Sequence, residues 1–159
     1  LGLGRKTLDV ETSVAINRRQ WDEAKRMLAI QEEMSPELKV RVQRWVDALA
    51  DPSQRPAMIA EMKVLDPKIA PQEKLVGPYL QLGEFDTAFR IMFASLDRDR
   101  LAWLHEWDLM HAWSADSAAW RRDPRFGELA ERIGLVDYWK QYGFPDGCRS
   151  GADKPIECT

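Results

Sequence analysis

PQEKLVGPYLQLGEFDTAFRIMFASL, residues 71–96, decides how the rest of the chain is organised. Leu75, Tyr79, Gly83, Phe85, Ala88 and Met92 spell a helix, a glycine-ended turn, and a second helix in which the small Ala88 lets two backbones approach closely. Gly77-Pro78 inside the first helix predicts a kink, because proline lacks the N–H and its ring crowds the preceding turn. In the second helix Phe89, Met92, Phe93 and Leu96 recur at i, i+3, i+4 and i+7, which makes one apolar face. Such a hairpin cannot bury that face alone, so the chain has to supply neighbours that stack on it.

Upstream, the pattern predicts a helix over 6–17 and a mate that begins at Trp21 and runs through Ala24, Met27 and Leu28 to Met34. Ser35-Pro36 then reads as an N-cap followed by a proline in the first turn. Ala24 and Ala88 are 64 positions apart, two periods of 32, and Pro36 and Pro67 are 31 apart. A middle unit fits between them: Leu38, Val42, Trp45, Val46 and Leu49 form one helical stripe, Asp51-Pro52-Ser53 breaks it, and Met58, Ile59, Met62 and Leu65 form a second before Asp66-Pro67. Pro56 and Ala57 stand near the place where the second stripe should carry its small residue, which blurs the register there.

Downstream, the polar run Asp97-Arg98-Asp99-Arg100 marks a change of character. Of the fifteen aromatic residues, nine fall between Trp103 and Phe144. The spacing predicts a helix to about His111, a loop with a short turn around Ser117 to Trp120, and a helix capped by Asp123-Pro124 that carries Phe126, Leu129 and Ile133. Gly134 ends it, and Leu135 to Tyr142 makes a last short helix before Gly143 and Pro145.

The large residue, alanine and large residue at fixed offsets across an antiparallel helix pair resemble the tetratricopeptide repeat (TPR) over roughly residues 8–112. The expected fold is all-α: a TPR-like right-handed helical-hairpin solenoid with an aromatic-rich C-terminal helical cap. Residues 1–148 make the helical domain, with repeats over about 6–35, 36–67 and 71–100 and the cap over 101–148; residues 149–159 read as a flexible C-terminal tail. The stretch WRRDPRFGELAERIGLVDYWKQYGFPDGC, from Trp120 to Cys148, is similar to the C-terminal signature of TPR-like regions in bacterial winged-helix transcriptional regulators and class III adenylate cyclases. Arg121, Asp123, Pro124, Arg125, Phe126, Gly134, Leu135, Tyr138, Trp139, Pro145, Asp146 and Cys148 carry the match, with Cys158 as its second cysteine. The resemblance implies a regulatory or sensory module placed after an output domain or a membrane anchor. Neither a DNA-binding helix-turn-helix nor a cyclase domain lies in these residues.

At 159 residues, 45% hydrophobic and 31% charged, the chain suits one domain with a continuous core. A net charge of −3 offers nucleic acid no long-range attraction, and clusters such as Arg121, Arg122 and Arg125 are local. No apolar run reaches the ~18 residues of a membrane span. The chain opens Leu1-Gly2-Leu3-Gly4 without an initiator Met, which reads as a piece of a longer protein; an anchor or signal upstream would lie outside it. Cys148 and Cys158 are either a bridge or two separate thiols. A bridge would contribute about 2–3 kcal/mol by tethering the chain end, and it would place the protein outside the cytoplasm, in the periplasm; free thiols would place it in the cytoplasm.

Catalytic chemistry finds little support in these residues. His105, Asp108 and His111 gather metal-type ligands on one helix, yet the two histidines are six apart where the zincin spacing is four. Ser114 and Ser117 lack a G-x-S-x-G elbow, the cysteines lack a neighbouring histidine, and no glycine-rich phosphate loop appears. The D-P-R-F motif reads as structure: Asp123 caps, Pro124 starts the helix, Phe126 is buried, and Arg125 meets a carboxylate or an aromatic face. The expectation is therefore a non-enzymatic, cofactor-free module that holds a protein or peptide in a concave groove lined by Ser13, Asn17, Arg41, Arg44, Glu73, Leu80 and Gln81. The alternatives are a small-molecule sensor with a pocket between the third repeat and the cap and, further off, a metal-dependent hydrolase.

Overall fold

The computed structural model describes residues 10–32, 34–65, 72–98 and 117–159, and apart from two short strands their regular structure is helical. The chain divides into two compact units, residues 1–78 and 79–159.

In the first unit α1 (Val10–Asn17), α2 (Trp21–Ile30), α3 (Pro36–Ala50) and α4 (Arg55–Lys63) follow one another, each packed on the next. Ala15, Ile16, Ala24 and Val46 form a buried cluster, flanked by the half-buried Trp21, Val42, Trp45 and Leu49. Ala24 is fully buried, as a seam residue should be. Ser35 accepts from the Leu38 N–H at 3.3 Å with Pro36 at the first helical position, as the sequence predicts. Asp51 accepts from the Ser53 N–H at 3.0 Å and turns the chain through a 3-10 turn, Pro52–Gln54, into α4.

Two local expectations are corrected. α2 stops at Ile30, short of Met34, because Gln31 is extended (φ −67°, ψ 104°) and its side-chain amide donates to the buried Thr12 hydroxyl at 2.9 Å. Pro78 does not kink a helix: a 3-10 turn, Gln72–Leu75, precedes α5 (Val76–Leu82), so the proline falls in the first turn, where its missing N–H has no acceptor to lose. The division between the units falls within α5.

The second unit continues through α6 (Phe85–Arg98), α7 (Ala118–Arg121), α8 (Pro124–Arg132), α9 (Leu135–Tyr142), and the strands β1 (Cys148–Arg149) and β2 (Glu157–Cys158). Its largest buried side chains include Tyr79, Phe89, Met92, Phe126 and Leu129, each at most 1% exposed. Burial of side chains of this size stabilises by about 1.5–3 kcal/mol apiece. Trp120 meets Phe126 edge-on at 4.9 Å and Phe89 at 6.3 Å. α6 and α8 run alongside in the same sense: Asp86 near the start of α6 pairs with Arg125 near the start of α8, and Asp97 near the end of α6 pairs with Arg132 at the end of α8.

The turns inside the two units are copies of one another. After α1 the Arg19 N–H donates to Ile16 C=O and the Gln20 N–H to Ala15 C=O; after α5 the Gly83 N–H donates to Leu80 C=O and the Glu84 N–H to Tyr79 C=O. Both are Schellman closures with a left-handed residue, Arg19 at φ 57° and Gly83 at φ 81°. Both following helices then begin two residues on, at Trp21 and Phe85, and bury equivalent residues, Ala24 with Ala88 and Leu28 with Met92. The offset is 64 at every one of these positions.

The end of the chain differs from the expected flexible tail over 149–159. β1 and β2 pair antiparallel with Cys148 opposite Cys158, and a disulfide joins them. Ile156, 5% exposed, lies against α8 at Gly127. A two-stranded ladder this short is marginal by itself, and the disulfide and the buried isoleucine supply what it lacks.

Candidate functional site

The corner between α7 and α8 is fixed by Arg125. Its backbone N–H and Nε donate to Asp123 Oδ1 at 3.0 and 2.8 Å, one Nη donates to Asp123 Oδ2 at 2.7 Å and the other to Asp86 at 2.8 Å, while the guanidinium carbon stands 4.7 Å over the Phe89 ring. The side-chain hydrogen bonds from Arg125 hold the Asp123 carboxyl below the ordinary aspartate range, and the same bonds push the guanidinium pKa up. Cap, first-turn proline, buried Phe126 and doubly engaged arginine are the structural reading of D-P-R-F, and the geometry agrees with it in each part.

Beside this corner, α7, the start of α8 and the disulfide-closed loop line an open cleft of about 470 Å³. Arg121, Arg122, Arg149 and Lys154 line it, with Asp123 and Glu157 as the acidic side chains. Arg121 donates to the Ser117 hydroxyl at 2.6 Å; burial first, and the adjacent Arg122 second, hold its pKa below the usual arginine value. Arg149 pairs across the ladder with Glu157 at 3.0 Å. Arg122 and Lys154 are exposed, and their side chains make no hydrogen bond or ion pair among the described residues.

The residues expected to line a concave groove are distributed over both units. Ser13, half-buried, and the exposed Asn17 are one turn apart on α1. Arg41 and Arg44 are brought together on one carboxylate, reaching Glu61 of α4 at 3.7 and 3.2 Å, so their charge is engaged inside the unit. Glu73 lies in the 3-10 turn before α5. Leu80 is only 8% exposed and serves the second unit's core instead of a groove wall, as Ile16, 64 residues earlier and accepting the matching turn hydrogen bond, is buried in the first; Gln81 is half-buried beside it. His105, Asp108 and His111 lie outside the described residues, among which no cluster of three His, Cys, Asp or Glu could hold a metal ion.

The aromatic cap divides. Trp120, Phe126 and Trp139 are buried, but Tyr138 and Tyr142 are 56% and 66% exposed and pair with each other at 4.8 Å on the outside of α9; Trp103, Trp107 and Trp113 lie outside the described residues. The cleft sits at the disulfide loop, and no residue of the expected third repeat, 71–100, lines it. Sequence reasoning missed it because Arg122 is separated from Arg149 and Lys154 by two helices, and only the disulfide visible as a cysteine pair hinted at the loop's return. No described helix is long and apolar enough to cross a membrane. Comparison with family models, curated proteins and solved structures finds no match to this chain.

Proposed function

We propose that the chain is a TPR-like, right-handed helical-repeat module without catalytic activity, which binds a protein or peptide segment and serves as a regulatory or sensory part of a larger signalling protein. The observation that carries this reading is the duplicated turn: the same Schellman hydrogen bonds, helix start and buried alanine recur 64 residues apart, two periods of 32 in a family of motifs whose period is about 34. The serial packing of α1 to α4 supports it, and so do the same-sense helices α6 and α8, whose paired side chains are 39 and 35 residues apart, close to one such period. Repeat modules of this kind act by offering an extended surface to a segment of another chain. The Cys148–Cys158 bridge supports an oxidising compartment, outside the cytoplasm, as part of this reading.

The test is selection of displayed random dodecapeptides on the purified protein, followed by fluorescence anisotropy of the enriched sequences. A consensus that binds with a Kd of about 1–100 μM and is weakened at least about fivefold by Asn17→Arg with Arg44→Glu is the expected result. No consensus after repeated rounds, or binding indifferent to both substitutions, rejects the reading.

A further inference from the structure

We infer that the cleft between the α7–α8 corner and the disulfide-closed loop is a binding site for a small phosphate-bearing anion. This stands on the second unit alone and goes beyond the peptide-binding reading without depending on it. A concavity of about 470 Å³ falls in the range of small-molecule sites, which run from about 300 to 1,000 Å³. Its electrostatics set the ligand class. Asp123 is saturated by Arg125, and Glu157 is taken by Arg149, so the two acidic side chains in the lining are already neutralised. Arg122, at the end of α7, and Lys154, in the disulfide-closed loop, remain in the lining with no side-chain partner among the described residues.

The chain as a whole carries −3, so two unmatched cations beside Arg121 on one concavity are a local concentration and not a reflection of a basic protein. The flat fork of an arginine and the point charge of a lysine in one lining suit the several oxygens and double charge of a phosphate better than a single carboxylate. A bound anion would also relieve the repulsion between Arg121 and Arg122, the second cause of the lowered Arg121 pKa. The loop that carries Lys154 depends on Gly151, where a Cβ would stand 2.5 Å from the Lys154 carbonyl oxygen, and on the disulfide that closes it.

Titration of the oxidised full chain with pyrophosphate and with glucose 6-phosphate, followed by amide NMR and calorimetry at low ionic strength, tests the site. The expected result is saturable one-to-one binding, with shifts centred on residues 121–123 and 147–154. Arg122→Gln with Lys154→Gln should weaken it at least about tenfold, since each removes a charge-assisted contact. Both residues are exposed, so unchanged circular dichroism and melting temperature should show that the variant is folded. Reduction with dithiothreitol should weaken binding too, because it frees the wall that carries Arg149 and Lys154. Absence of saturation, undiminished binding in the double variant or after reduction, or tighter binding of citrate than of both phosphates would each overturn the assignment.

Discussion

Arg19 sits at φ 57°, where Cβ crowds the following carbonyl oxygen; Gly83 holds the equivalent place at φ 81° and has no Cβ. For an L-residue other than glycine that conformation costs about 1–2 kcal/mol, part of which glycine gives back through the greater freedom of its unfolded chain. The duplicated turn therefore makes a paired prediction. Arg19→Gly should raise the unfolding free energy by about 0.5–1 kcal/mol, and Gly83→Ala should lower it by about 1 kcal/mol. Urea denaturation followed by circular dichroism measures both, and equal signs for the two would mean that the turns are not equivalent. The sequence shows the second turn and hides the first, because the glycine signal is present at 83 and an arginine stands in its place at 19.

At the level of the element, α8 is organised by its N-terminus. Asp123 caps the helix, and its side chain is 14% exposed while it engages Arg125 through both carboxylate oxygens. Replacement by alanine removes the cap and should cost about 1 kcal/mol or more. The pH dependence is the sharper measurement. Arg125 lowers the folded pKa below the ordinary value of 3.8, so the unfolded state takes up the proton first as pH falls. The stabilisation is complete well above 3.8 and is lost as pH drops through the folded pKa. In Asp123→Asn, which keeps the cap and loses the ion pair, the deficit in melting temperature relative to the parent should be largest near neutrality and shrink below about pH 4. A deficit constant with pH would remove the ion pair from the account. Caps such as Ser35-Pro36 and Asp123-Pro124, and the Gly134 stop, are legible in sequence because each is closed by residues within a turn of itself. The early end of α2 and the ordered chain end are not, because they depend on Thr12, nineteen residues from Gln31, and on Ile156 meeting α8.

For the whole molecule the offset of 64 was legible in two alanines, and the backbone hydrogen bonds extend it to the turns and the helix starts. The cleft was not legible, since its cations become neighbours only once the disulfide folds the end of the chain back on α7 and α8. Equivalence across the repeat makes a claim that neither unit makes alone. Ala24 and Ala88 are both fully buried, each on the second helix of its hairpin and five residues beyond the left-handed closure. If each serves as the close-approach residue of the same motif, enlarging either to leucine forces helices apart in the same way and should destabilise by about 1–3 kcal/mol. Glycine at either position leaves the close approach intact and should cost only about 1 kcal/mol of helix propensity. Guanidinium denaturation of Ala24→Leu, Ala88→Leu and the two glycine variants checks the set. Leucine tolerated at one site and ruinous at the other would show that the spacing of 64 is a coincidence of composition, and the repeat reading would lose its main support.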